Sequence, residues 1–180
     1  MALDSFVIGG LAEELHQRLE NARVDKVTMP RRDRIILHLR TLKEGNVRLL
    51  LCAGNGARVH LTQEKFDNPE TPPMLCMLLR KQLSSGRFLR ATQPEGERIL
   101  DLCFSAADEM GFIGEKHLIC ELTGRLTNVI LTDSEGLILG CMKPVDHEMS
   151  DRAVLPGLRY RLPPKPDKPP LADLSLQQLT

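Results

Sequence analysis

Short apolar runs of period two, joined by turns too short for a crossover, constrain this chain more than any other feature. Four follow one another in "RVDKVTM", "RIILHLR", "VRLLLCA" and "ARVHLT", separated by "PRRD", "KEGN" and "GNG". Ile35, Leu37 and Leu39 share one face of the second run, and Val59 and Leu61 share one face of the fourth. Strands joined so closely pair antiparallel, because a parallel pair needs a crossover of about a dozen residues or more. Further along, "RFLRATQ", "ERILDLCF", "KHLICELTG", "NVILTDS" and "LILGCMK" repeat the pattern, with turns at "PEG", "EMGFIGE" and "DSEG". Several of these strands are apolar on both faces. A sheet of that kind is covered twice, and the expectation is another sheet on one side and a helix on the other.

Two stretches change period. Residues 3 to 21 place Leu3, Phe6, Val7, Leu11, Leu15 and Leu19 three and four apart, one apolar stripe on a helix that carries Gly9 and Gly10. Asp4 falls in its first turn, where a carboxylate suits the helix dipole. In "NPETPPMLCMLLRKQLSSGR", Pro72 and Pro73 suit a helix start and Gly86 a stop. Met74, Leu75, Leu78, Leu79 and Leu83 form the expected buried face, Met74 and Met77 read as core filler, and Arg80 and Lys81 read as solvated. The resulting fold class is α+β: an antiparallel β-sandwich or roll with an N-terminal helix and one central helix. Residues 1–157 are the expected domain, 158–172 a semi-rigid proline-rich linker, and 173–180 the start of a further helical unit.

Composition narrows the function classes. A chain of 180 residues that is 42% hydrophobic and 27% charged fits one globular domain. The longest apolar runs, "LLLC" and "LILGCM", fall far short of the roughly 20 residues of a membrane span, so no membrane partner is expected. "MALDSFVIGG" carries an acid where a secretory signal carries basic residues, which predicts a cytoplasmic protein. Cys52, Cys76, Cys103, Cys120 and Cys141 are odd in number, lie inside apolar runs and show no CxxC spacing. Buried reduced thiols fit this better than a zinc site or a disulfide frame. The histidines are far apart with no HxxxH or HxH, and neither GxSxG nor a phosphate loop is present. Neither metal nor cofactor is expected. Net charge is zero, yet Arg80, Lys81, Arg87, Arg90 and Arg98 face only Glu95 and Glu97 between positions 80 and 98. An aromatic content of 3% without Trp supplies no base-stacking platform.

Two polar pairs stand out. Glu97 and Arg98 are adjacent at the mouth of a strand, where neighbours face opposite ways, so a charge on a covered face would need a partner. Asp4 is a candidate partner for Arg98. In "CELTGR", Glu121 ends a strand, Gly124 breaks it and Arg125 follows. Arg offers a fork of donors and Glu acceptors only, a combination that reads the edges of unpaired bases. An exposed salt bridge at a strand end accounts for the same residues.

"MALD", "ARVHLT", "NPETPPMLCMLLRKQL", "GERI", "LICELTGRLTNVILTD" and "VLPGLRY" with the following "LPP" together resemble the N-terminal (NFACT-N) domain of the RqcH/NEMF family, once called fibronectin-binding protein A. The resemblance runs in order from residue 1 to about 165. It implies a fold similar to the N-terminal domain of the Fpg/Nei glycosylases and a role in ribosome-associated quality control. The implied partners are tRNA, alanyl-tRNA in bacteria, and the large ribosomal subunit carrying peptidyl-tRNA. The implied activity is support of C-terminal alanine tailing of stalled chains, with peptidyl transfer left to the ribosome, so the domain is not expected to be an enzyme. The family's helix Asp and its Asp-Arg pair fall on Asp4 and on Glu97-Arg98. Glu121, Thr123, Gly124 and Arg125 match positions near the tRNA anticodon loop. Two departures are plain: Glu97 stands where the family carries Asp, and "GRLTN" where it carries "GRHSN". Fibronectin adhesion and Fpg-like nucleic-acid processing are the rival readings; "MALD" lacks the Pro-Glu start of those glycosylases.

Overall fold

A computed structural model describes residues 4–54 and 56–164. Its elements are α1 (Ser5–Leu19), β1 (Arg23–Arg31), β2 (Arg34–Thr41), β3 (Gly45–Cys52), β4 (Arg58–Thr62), α2 (Met74–Leu83) and β5 (Arg87–Thr92). They continue with β6 (Ile99–Ala107), β7 (Ile113–Glu121), a short 3-10 turn (Gly124–Leu126), β8 (Asn128–Thr132) and β9 (Ile138–Cys141). The expected α+β class with two helices is borne out. All nine strands join one antiparallel sheet in the order β4-β3-β2-β1-β5-β6-β7-β8-β9. It is two meanders, β1–β4 and β5–β9, seamed where β1 meets β5 in the single register pair Arg23–Arg87. α2 carries the chain from the far edge at β4 back to that seam.

The main core lies on one face. Ile8, Leu15 and Leu19 of α1, and Cys76, Leu79 and Leu83 of α2, pack with Leu37 and Leu49 of the first meander and Leu102, Phe104 and Leu118 of the second. Phe88 and Phe104 meet edge to face at 5.6 Å, a favourable arrangement for aromatic pairs. The opposite face explains why the strands are apolar on both sides. Ile99, Ile119, Ile130 and Ile138 lie under Val145, Val154 and Tyr160 of the segment after β9, and Ile36, Leu50 and Cys52 lie under Phe66 after β4. Extended segments, rather than a further regular sheet, provide that cover.

Both helices bury most of the stripe their spacing predicts, with Leu11, Leu15 and Leu19 of α1 and Leu75, Leu78, Leu79 and Leu83 of α2 in or against the core, but the residues at their starts turn outward. In α1 the buried residues are Ile8, Ala12, Leu15 and Leu19, while Phe6 is 89% exposed and Val7 is exposed. In α2, Cys76, Leu79 and Leu83 are buried, and Met74 and Met77 are exposed rather than core filler. The inner stripe that persists to the helix end, through Leu15 and Leu19 or Leu79 and Leu83, fixes the rotation, and the first turn follows it at 3.6 residues per turn. Arg80 is not simply solvated either. Its Nε donates to Val27 O at 2.8 Å, which ties α2 to β1.

Residues 158–161 remain attached to the body: Ile138 N donates to Leu158 O, Tyr160 N to Gly136 O, and Arg152 Nε to Arg161 O. Most of the proline-rich stretch, and the helical unit expected at 173–180, lie outside the described residues.

Candidate functional site

Asp4 is the N-cap of α1, and its carboxylate Oδ1 accepts from Val7 N at 2.8 Å. This is the usual service of an Asp at that position, satisfying one of the helix's orphan donors. Glu97 and Arg98 sit just before β6, in the turn that follows Pro94, with Gly96 at φ +74°. Neither side chain therefore has to point into a covered face. The candidate ion pair between Asp4 and Arg98 is not formed, and the Asp4 carboxylate caps its own helix instead.

The backbone around this pair is held firmly. Glu97 N donates to Pro94 O, and Leu122 N to Arg98 O at 2.8 Å. Gln93 Nε2 donates to both Ser5 O and Glu97 O, at 2.5 and 2.7 Å, and so links the first turn of α1 to the turn that carries Glu97. A Cβ at Gly9 would come within 2.8 Å of Gln93 Oε1, which explains a glycine there: the helix passes close to the amide. Arg98 O in turn fixes the start of the Leu122–Leu126 segment. There Gly124 takes φ +66°, and Thr127 Oγ1 closes the turn onto Gly124 O at 2.6 Å. Asp4, Glu97, Arg98, Thr123, Gly124 and Arg125 are thus drawn to one end of the sheet through a short relay of hydrogen bonds. Arg98 and Arg125 are exposed, and neither has an ion-pair partner among the described residues. The other members of the basic run are dispersed: Lys81 pairs with Glu109, Arg87 donates to Asn21 O, and Arg90 pairs with Glu115.

Gln93 is a residue that spacing could not single out. Gln93→Ala should cost about 1–2 kcal/mol, the usual worth of two such bonds, in denaturant melts. It should also speed hydrogen exchange at the Leu122 amide; an unchanged exchange rate there would show that the relay does not pass through Gln93.

Glu121 belongs to the same rim but faces inward. It is 4% exposed. Its oxygens accept from Arg152 Nη1 and Nη2, at 3.1 and 2.5 Å, and from Tyr160 Oη at 2.7 Å. The Arg152 guanidinium also lies 5.3 Å from the centre of the Tyr160 ring. Burial first, and then the charge of Glu121, push the Tyr160 phenol well above its ordinary pKa. It stays protonated and donates to the carboxylate. Arg152 and Tyr160 come from the segment beyond β9, more than thirty positions after Glu121, and no local pattern announces the contact.

A second polar cluster lies beside the first on the same outer face, around a cavity of about 360 Å³ lined in part by Asp101, His117 and Tyr160. His117 Nδ1 lies 2.9 Å from Asp101 Oδ1, and its Nε2 lies 4.0 Å from Cys103 Sγ. The Asp101 hydrogen bond, aided by Cys103 and opposed by burial, pushes the imidazole up to about 10. A group whose folded pKa is raised stabilises the fold fully below its unfolded pKa, here about 6.5, and loses that contribution as pH climbs to the folded value. Stability should therefore fall between about pH 6.5 and pH 10 in urea melts, and Asp101→Asn should flatten that fall.

Residues 4–180 match the family model described as NFACT N-terminal and middle domains. The chain belongs to the NFACT family. It is 36% identical over 171 residues to the "Rqc2 homolog RqcH" of Bacillus subtilis, covering 93% of this chain and 30% of that protein. It is 32% identical over 143 residues to the "Ribosome quality control complex subunit NEMF" of Mus musculus, covering 79% of this chain and 13% of that protein. The chain thus spans under a third of the length of these relatives. Among solved structures, the N-terminal domain of fibronectin-binding protein PavA from Streptococcus pneumoniae superposes with a TM-score of 0.85 at 33% identity, covering 98% of this chain and 69% of that one. The N-terminal part of a fibronectin/fibrinogen-binding protein from Streptococcus suis gives the same TM-score at 35% identity, covering 92% and 62%. An NFACT chain with relatives named for ribosome quality control is the frame for the rim. Among the described residues, no helix is long and apolar enough to cross a membrane.

Proposed function

We propose that this NFACT domain binds tRNA and the large ribosomal subunit, and supports alanine tailing of stalled nascent chains. One observation carries the reading: two exposed arginines without ion-pair partners among the described residues, Arg98 and Arg125, stand at the end of the sheet where Asp4, Glu97, Thr123 and Gly124 converge. Unneutralised guanidiniums on rigid turns suit phosphate oxygens and base edges, which they engage as planar forks. Glu97 adds a carboxylate beside Arg98 on the same turn, and Asp4 caps the first turn of α1, which the Gln93 relay ties to that turn. Glu121 acts from beneath: its carboxylate is occupied by Arg152 and Tyr160, and it steadies the strand end that presents Thr123 to Arg125. The domain holds RNA and performs no chemistry of its own. Acidic groups at the rim limit non-specific binding, in keeping with a net charge of zero.

The test is recovery of the tagged protein from cells with translation stalled, reading tRNA and large-subunit RNA against fibronectin binding by the same preparation. Enrichment of alanine tRNA with large-subunit RNA is expected. Fibronectin binding without RNA enrichment would overturn the reading in favour of adhesion.

A further inference from the structure

We infer that Cys103, Glu115 and His117 form a binding site for a zinc-type transition-metal ion on the outer face of the sheet, apart from the rim. The three residues lie on two adjacent strands. Cys103 and His117 are direct cross-strand partners between β6 and β7, and Glu115 stands two positions before His117, opposite Ser105, on the same face. Their ligand atoms all lie within 4.8 Å of one another, and Cys103 Sγ is 4.0 Å from His117 Nε2. A tetrahedral zinc ion, about 2.3 Å from sulfur and about 2.0 Å from nitrogen, needs those two atoms roughly 3.5 Å apart. Closing the remaining half ångström or so asks only a small torsion of either side chain.

The orientation of His117 favours this use. Asp101 holds Nδ1 at 2.9 and 3.1 Å, which directs Nε2 toward the thiol. A carboxylate behind a histidine in this way fixes the tautomer and ring of metal-bound imidazoles. Among the described residues, Nε2 has no partner but a sulfur at the limit of hydrogen bonding. The donor set of thiolate, imidazole and carboxylate suits zinc and its neighbours and disfavours magnesium or calcium. Arg90 now donates to both oxygens of Glu115, at 2.9 and 3.1 Å, and must release one of them. Its side chain is 41% exposed, so water can receive it. On binding, the protons of Sγ and Nε2 pass to solvent, and the charge of the ion replaces that of the imidazolium opposite Asp101. Three protein ligands leave a fourth position for water.

Spacing along the chain conceals the set, because the ligands come from both arms of a hairpin rather than from one motif. The experiment is titration of the purified, reduced protein with cobalt(II), followed by displacement with zinc. One equivalent should bind with a thiolate-to-cobalt charge-transfer band. Cys103→Ser and His117→Gln should abolish the band, and Cys141→Ser should leave it unchanged. Asp101→Asn should weaken binding about 10- to 100-fold while keeping the band. Absence of the band in the unaltered protein, or its survival in Cys103→Ser, overturns the inference. X-ray absorption at the zinc edge of the unaltered protein decides the matter independently of how the variants fold: one sulfur with nitrogen and oxygen neighbours is expected, and a shell without sulfur overturns it.

Discussion

Arg98→Ala should abolish alanine tailing in cells while leaving the stability of the domain within about 0.5 kcal/mol, the ordinary effect of an exposed substitution away from special features. The two readouts separate because the Arg98 side chain is exposed with no ion-pair partner among the described residues, whereas its backbone oxygen, which alanine retains, holds Leu122 N. A charge-assisted hydrogen bond contributes about 1.5–3 kcal/mol, so tRNA affinity should fall roughly 10- to 100-fold. Salt dependence identifies the contact. Loss of a phosphate contact lowers the slope of log affinity against log salt by about 0.7 to 0.9, whereas loss of a base-edge contact leaves the slope and changes tRNA preference. Arg98→Lys keeps the charge but not the fork, and should fall between the two. A variant that unfolds would make Arg98 a structural residue, and one that tails normally would remove it from the proposed interface.

Glu121→Ala should act in the opposite way, with a large loss of stability. Removing one partner of a buried ion pair costs about 3–5 kcal/mol, because the other charge is left without compensation. Here the abandoned groups are the Arg152 guanidinium and the Tyr160 hydroxyl, both belonging to the segment that covers the outer face. Since Arg152 Nε also holds Arg161 O, the loss should spread to residues 152–161. Denaturant melts of Glu121→Ala, Arg152→Ala and the double variant measure the coupling, and the double variant should be less damaged than the sum of the singles. An unchanged melting midpoint in Glu121→Ala would show that the pair does not support the fold. Any loss of RNA binding in this variant would follow from the collapse of the Thr123–Leu126 turn, while Arg125→Ala should lose binding with its stability intact.

These expectations divide the residues that the sequence singles out. Asp4 was legible as a helix acid because capping is local: the carboxylate reaches a backbone amide three residues on. Glu97 and Arg98 were legible as a conspicuous pair, but their position outside the strand was not, since it depends on β6 beginning two residues later than the run "ERILDLCF", at Ile99. Glu121 and Arg125 looked like equals at a strand end. The fold gives them opposite surroundings, one buried under Arg152 and one exposed.

The sequence by itself determined the strands, their antiparallel order within each meander, the two helices and the turns. Period-two patterning, glycine turns and short connections act over a few residues and leave little choice. Only the tertiary structure decided that the first turn of each helix would face outward and that Asp4 would leave Arg98 unpaired. It also brought Gln93 between α1 and the rim, Arg152 and Tyr160 over Glu121, and Cys103 beside His117. Those outcomes depend on side chains that the chain brings together from distant positions, where packing and burial choose the partner and sequence spacing carries no record of the choice.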